Sequence, residues 1–199
     1  MEITKKTAEF LLKNMLTNCS IELLKREFST SEFFIDEIRL GYLKLSYDSH
    51  LVAHFQIINK IQGIGLEIIA DPDEKLVEEI KLAVYELILE MNNADSIARK
   101  SDYLVEKLNL SYQKMSKLFS KHENITLERY IILVKMEKIK DLIDSNDYTL
   151  SEIAYLMDYS SVQYLSNQFK KETGYSVSDY KNLTVKPRIA IENIGKTHY

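Results

Sequence analysis

Five glycines and two prolines in 199 residues leave few places to break a helix, so the chain is expected to be helix-rich. The single cysteine, Cys19, excludes an internal disulfide and fits a reducing cytoplasm. No apolar run approaches the roughly 18 residues of a membrane span. The opening stretch, MEITKKTAEFLLKNM, has only a short, interrupted apolar part and no signal-peptide pattern. Glycine-rich phosphate loops, nucleophile elbows and zinc-ligand spacings are all missing. These absences argue against an enzyme and leave no candidate catalytic, cofactor-binding or metal-binding residues. The four histidines, His50, His54, His122 and His198, form no motif. His50 and His54 stand four apart on an expected helix, a metal-compatible spacing, but lack further ligands nearby and read as surface residues. The composition, 45% hydrophobic and 28% charged, is that of an ordinary globular protein.

The net charge of −4 does not by itself suggest a nucleic-acid partner. It is unevenly spread. Residues 1–91 carry 10 Lys+Arg against 16 Asp+Glu, whereas residues 92–199 carry 16 against 14. Any binding to DNA has to come from the placement of a few cations on the mildly basic half.

Along the first part of the chain the hydrophobic period alternates between two and 3.6. TAEFLLKN reads as a strand, and NCSIELLKREF as a helix with Ile21, Leu24 and Phe28 on one side. FFIDEI and YLKLSY read as a hairpin around the RLG turn. SHLVAHFQIINKI is expected to be helical with Leu51, Phe55, Ile58 and Ile61 facing inward, and GIGLEIIA to be a last short strand. The order β-α-β-β-α-β over residues 1–70 predicts an α+β, ferredoxin-like module. In DPDEKLVEEIKLAVYELILEM, Asp71 can cap, Pro72 suits the first helical position and Glu74 has capping-box spacing. Its stripe is Leu76, Ile80, Val84, Leu87 and Met91. Residues 71–100 are expected to link the two halves, with a hinge in NNADSIARKSD.

The remainder reads as all helix to about residue 183 and contains an internal repeat. Shifted by 50, Ser111 meets Ser161, Met115 meets Leu165, Ser116 meets Ser166, Phe119 meets Phe169, Lys121 meets Lys171 and Tyr130 meets Tyr180. Each copy reads as a short helix, a turn, a serine and a second helix. Two copies of that kind predict a double helix-turn-helix domain over residues 101–183, followed by a flexible tail over 184–199, where Lys186 and Arg188 can reach phosphates.

A helix that enters a major groove needs a buried stripe, a hydrogen-bonding outer face and a capped start. SSVQYLSNQFKKETG supplies all three. Ser160 or Ser161 can cap, Ser160 and Gln163 having capping-box spacing. With Leu165 and Phe169 inward, Gln163, Asn167 and Lys170 point outward, flanked by Ser166 and Lys171. The first copy puts Gln113, Ser116, Lys117 and Lys121 at the same angles. Glutamine and asparagine suit adenine edges, and lysines suit phosphates. The helix between the motifs, TLERYIILVKMEKIKDLI, is long enough to hold two such helices about one DNA turn apart, roughly 34 Å.

LSEIAYLMDYSSVQYLSNQFKKETGYSVSDYK resembles the signature of the AraC/XylS family of bacterial transcription regulators, and LSYQKMSKLFSKHENITLERYIILVKMEKIKDLI is similar to that family's first motif and connecting helix. The resemblance implies sequence-specific reading of double-stranded promoter DNA through both motifs, with RNA polymerase as a further partner. Three positions depart from the family pattern: Asp158 stands where a turn glycine is usual, Val177 where proline is usual, and Lys135 where arginine is usual. The N-terminal part is similar to a heavy-metal-associated domain, whose soft-metal motif is MxCxxC. Here the stretch is MLTNCS: Met15 matches, but Thr17 and Ser20 replace both cysteines and Cys19 is out of register. A degenerate sensor module for an unknown effector is the resulting expectation. The stripe of residues 76–91 allows a homodimer or simply a cover for the N-terminal sheet. Two other readings stay open, a small-ligand or metal sensor and a protein-interaction adaptor with a vestigial DNA face.

Overall fold

The computed structural model describes residues 5–89 and 97–195, which divide into two compact units, Met1–Leu82 and Ala83–Tyr199.

The first unit starts with strand β1 (Lys5–Lys13), helix α1 (Asn18–Glu27), strands β2 (Phe33–Arg39) and β3 (Tyr42–Asp48), helix α2 (His54–Gly63) and strand β4 (Glu67–Ile68). The strands form one antiparallel sheet in the order β2-β3-β1-β4, with Ala8 opposite Leu45 and Phe10 opposite Leu43. Alternation puts Ala8, Phe10, Leu12, Leu43, Leu45 and Tyr47 on one face, where Leu24 of α1, Phe28 just after it, and Ile57 and Ile61 of α2 cover them. The other face carries polar pairs. Lys44 bridges to Glu9 at 2.8 Å, and Ser46 Oγ donates to Asp36 Oδ2 at 2.5 Å beside a bulge at Asp36.

Helix α2 differs from its expected register. The Asp48 carbonyl accepts from the backbone N–H groups of Leu51 and Val52, so residues 49–51 form a turn and the helix starts only at His54. Leu51 and Phe55 are 67% and 62% exposed, while Ile57 and Ile61 are buried. His50 and His54 are therefore not on one helix face. His54 stacks on Phe10 at 5.5 Å. The last strand shrinks to two residues, because after pairing with Leu12 and Lys13 the chain leaves the sheet for helix α3 (Pro72–Leu89). Asp71 caps α3 through the N–H of Asp73. The buried stripe of α3 is Val77, Ile80, Ala83, Val84, Leu87 and Ile88, with Leu76 only half-buried; Met91 and residues 92–96 of the expected hinge lie outside the described residues.

The second unit continues with α4 (Ile97–Leu108), α5 (Tyr112–His122), α6 (Leu127–Ser145), α7 (Leu150–Leu156), α8 (Val162–Thr173), α9 (Val177–Lys181) and a short 3-10 turn at Ile191–Asn193. Residues 97–102 of the expected hinge belong to α4. The helices α5 to α9 each begin on a Ser or Thr whose side chain accepts an N–H three residues on: Ser111, Thr126, Thr149, Ser161 and Ser176. Such caps fix where a helix starts. The turns inside the two motifs pass through single left-handed residues, Asn109 (φ 51°) and Asp158 (φ 54°). Asp tolerates this conformation better than most residues with a side chain, which accounts for the missing glycine.

Of the tail over 184–199, expected to be flexible and to offer cations to phosphate, residues 196–199 lie outside the described residues, and the described part pairs its cations with α6. Lys186 donates to Asp144 at 2.6 Å and lies over the Tyr180 ring; Arg188 pairs with Glu137, Asp141 and Asp144; Ile194 is buried. The tail cations neutralise α6 carboxylates.

The sheet face makes a clean test. Leu45→Ala, at a fully buried site, is expected to cost about 2–5 kcal/mol, whereas Phe34→Ala, 70% exposed on the open face, changes stability by less than about 1 kcal/mol. Urea unfolding followed by circular dichroism measures both.

Candidate nucleic-acid interface

Both second helices of the repeat present the same profile. In α5, Met115 and Phe119 are buried while Gln113, Lys117 and Lys121 are exposed and Ser116 is half-buried. In α8, Leu165 and Phe169 are buried while Gln163, Asn167, Lys170 and Lys171 are exposed and Ser166 is half-buried. The inner anchors match as well: Phe119 packs on Tyr130 with ring centres 5.2 Å apart, and Phe169 on Tyr180 at 5.4 Å. Each helix is thus held by a phenylalanine–tyrosine pair from behind and leaves an amide–cation face outward.

The structure refines the roles of individual residues. Ser161, not Ser160, caps α8, its side chain accepting from the N–H of Tyr164 at 3.1 Å. Gln163 makes no capping box; its Nε2 donates to Asn167 Oδ1 at 3.1 Å, one turn on. That bond pre-aligns two amides on the outer face. Ser116 Oγ donates to Glu128 at 3.3 Å, so it is partly committed to α6. Lys117, Lys170 and Lys171 have no ion pair among the described residues.

The connecting helix α6 has 19 residues, a rod of about 28 Å at 1.5 Å per residue. Its flanks make contacts that sequence reasoning did not pick out. Arg129 pairs through Nη1 with Glu172 Oε2, the carboxylate of a residue only 4% exposed near the end of α8. Lys135, the residue in place of the family's arginine, lies over the Tyr159 ring at 4.4 Å. Burial, then the neighbouring Tyr164 and Glu172 charges, hold the Tyr159 phenol well above its ordinary range. Burial, then the charge and hydrogen bond of Glu128, do the same for Tyr112. Burial pushes the Glu128 carboxyl up, but hydrogen bonds from its own N–H, Tyr112, Thr126 and Ser116 outweigh it, leaving it below the usual carboxylate range. The pairs Arg129–Glu172, Lys135–Tyr159 and Tyr112–Glu128 were not legible because each joins residues distant in the sequence.

No three His, Cys, Asp or Glu side chains converge on a possible metal position among the described residues, and no described helix is long and apolar enough to cross a membrane. Met15 lies in the core and Cys19 is exposed.

Residues 104–182 match the protein family described as a helix-turn-helix domain. The Msm operon regulatory protein of Streptococcus mutans serotype c is 30% identical over 78 residues, 39% of this chain and 28% of that protein. The HTH-type transcriptional activator RhaS of Salmonella arizonae is 24% identical over the same shares. The chain therefore spans less than a third of the length of these relatives. A solved structure, the C-terminal domain of AraT, a response regulator from Geobacillus stearothermophilus, is 22% identical with a TM-score of 0.46, over 60% of this chain and 89% of that one.

Within the helix-turn-helix domain, Arg129→Met removes the counter-charge from buried Glu172 and is expected to destabilise by about 1–3 kcal/mol. Adding Glu172→Gln to that variant should recover most of the loss. A double-mutant cycle by thermal unfolding reads the coupling, and additive losses would show that the pair does not brace α8.

Proposed function

We propose that the chain is a cytoplasmic, non-enzymatic transcription regulator that reads promoter DNA through two adjacent major-groove segments. The observation that carries this reading is the helix-turn-helix match over residues 104–182 coinciding with two capped helices of like outer face, 50 residues apart. Gln113, Lys117, Gln163 and Asn167 would meet base edges, with Ser116 and Ser166 beside them. Lys121, Lys170 and Lys171 would hold phosphates, and Ser161 would set the start of the second reading helix. RNA polymerase is the expected protein partner of such a regulator, and a homodimer would double the site.

The strand order and the two helices on one sheet face support reading residues 1–70 as a ferredoxin-like module. With Thr17 and Ser20 at the thiol positions of the metal motif, a degenerate sensor for an effector other than a soft metal is the reading that fits the donor set.

A binding selection on random duplex DNA tests the proposal. It is expected to enrich a motif with two half-sites about one helical turn apart, roughly 10 base pairs. On that motif Gln163→Ala or Asn167→Ala should each cost about 1–3 kcal/mol at one or two base pairs only. Lys170→Gln should weaken all sequences evenly and lower the salt slope by about 1. The absence of any enriched motif would overturn the reading.

A further inference from the structure

The two helix-turn-helix motifs leave a gap along one side of α6. It is a cleft of about 490 Å³, inside the range of small-molecule sites, about 300–1,000 Å³. Leu104, Ile131 and Ile132 give it an apolar floor, and Tyr112, Tyr159 and Tyr164 give it three aromatic walls. Its charged lining residues are Glu128, Asp158 and Lys135.

We propose that this cleft binds a flat aromatic cation. Three phenol rings offer stacking surface, and ring faces attract cations. The cleft already displays that interaction, with the Lys135 ammonium 4.4 Å over the Tyr159 ring and Tyr164 tilted against Tyr159 at 5.7 Å. Two carboxylates against one ammonium make the lining net negative, which favours a cationic ligand over an anionic one of the same shape. Glu128 is held ionised by its hydrogen bonds, so this charge balance persists at neutral pH.

None of the residues assigned to bases or phosphates lines the cleft, so the ligand and DNA would not compete for the same side chains. The walls come from both motifs: Leu104 and Tyr112 from the first, Asp158, Tyr159, Tyr164 and Gln168 from the second. An occupant therefore acts as a wedge that sets the separation of α5 and α8, and it couples to DNA by favouring one separation over another. Binding in the cleft is independent of the DNA reading; only this coupling rests on it.

Matched xanthene dyes test the site on the full chain: rhodamine 123 as the cation, fluorescein as the anion. Fluorescence anisotropy should show one rhodamine 123 per chain, bound about tenfold or more tighter than fluorescein. Asp158→Asn keeps a side chain that tolerates the left-handed backbone and removes one charge; it should weaken rhodamine 123 by about threefold or more. Ile132→Trp, at a half-buried position, fills the cleft and should abolish binding while circular dichroism stays unchanged. Equal binding of both dyes, or rhodamine binding that survives Ile132→Trp, would overturn the proposal. At saturation rhodamine 123 should change the affinity of the chain for its selected duplex and leave that of Ile132→Trp unchanged. If both respond alike, the coupling is overturned. A chain that binds rhodamine 123 in the cleft but no duplex would refute the DNA reading and not the site.

Discussion

Helix α6 is apolar around most of its circumference: Leu127, Tyr130, Leu133, Val134, Met136, Ile139 and Ile143 are all buried. A helix that presented one stripe would sit on one partner. A helix buried on several sides has to lie between bodies, and here these are the two helix-turn-helix motifs. The geometry of the double motif follows from this. Near its start α6 receives Phe119 from α5 through Tyr130 and holds α8 through Arg129 and Glu172. One turn and a half further on, Lys135 meets Tyr159 in the turn of the second motif. The relative placement of α5 and α8 is thus set by a single rod rather than by contacts between the outer faces.

The same burial creates an electrostatic demand. Glu137 and Lys140 lie one turn apart inside this core, 6% and 1% exposed, and pair at 2.6 Å. Such a pair is tolerable only when the remaining carboxylate oxygen also finds a partner. Arg188 supplies it at 3.2 Å from the far end of the chain, and reaches Asp141 and Asp144 on the way. The ordered path of residues 184–195 is therefore a consequence of where α6 puts its carboxylates. This also explains why Lys186 and Arg188 cannot be assigned to phosphate from their charge alone.

What the amino-acid sequence reveals separates by distance along the chain. Helix starts such as Thr149 with Glu152 are local, three residues apart, and can be read directly. The outward face of α8 follows from Leu165 and Phe169 by angle alone. The start of α2 could not be read, because the backbone bonds from Leu51 and Val52 to Asp48 hold a turn within a helical-looking pattern. The choice between Ser160 and Ser161 depends on which side chain reaches the N–H of Tyr164, a matter of one residue's backbone angle. The tail and the cleft were least legible. The partners of Arg188 lie more than 40 residues away, and the cleft draws lining residues from Ser101 to Gln168, so no window of sequence contains either.

A nearly neutral reading domain places its own condition on the proposed mechanism. With few cations in excess, long-range attraction to the duplex is weak and phosphate contacts are few. Affinity must then come from base-edge contacts made without much loss of freedom on binding. The Gln163–Asn167 bond supplies this on the scale of one helix, by holding two amides in register before DNA arrives. The α6 rod, with its Arg129–Glu172 brace, supplies it on the scale of the domain. Beside this rod lies the cleft between the motifs, lined by residues of both. The proposed occupant of that cleft would touch α5 and α8 through Tyr112, Tyr164 and Gln168 and none of the side chains proposed to meet bases.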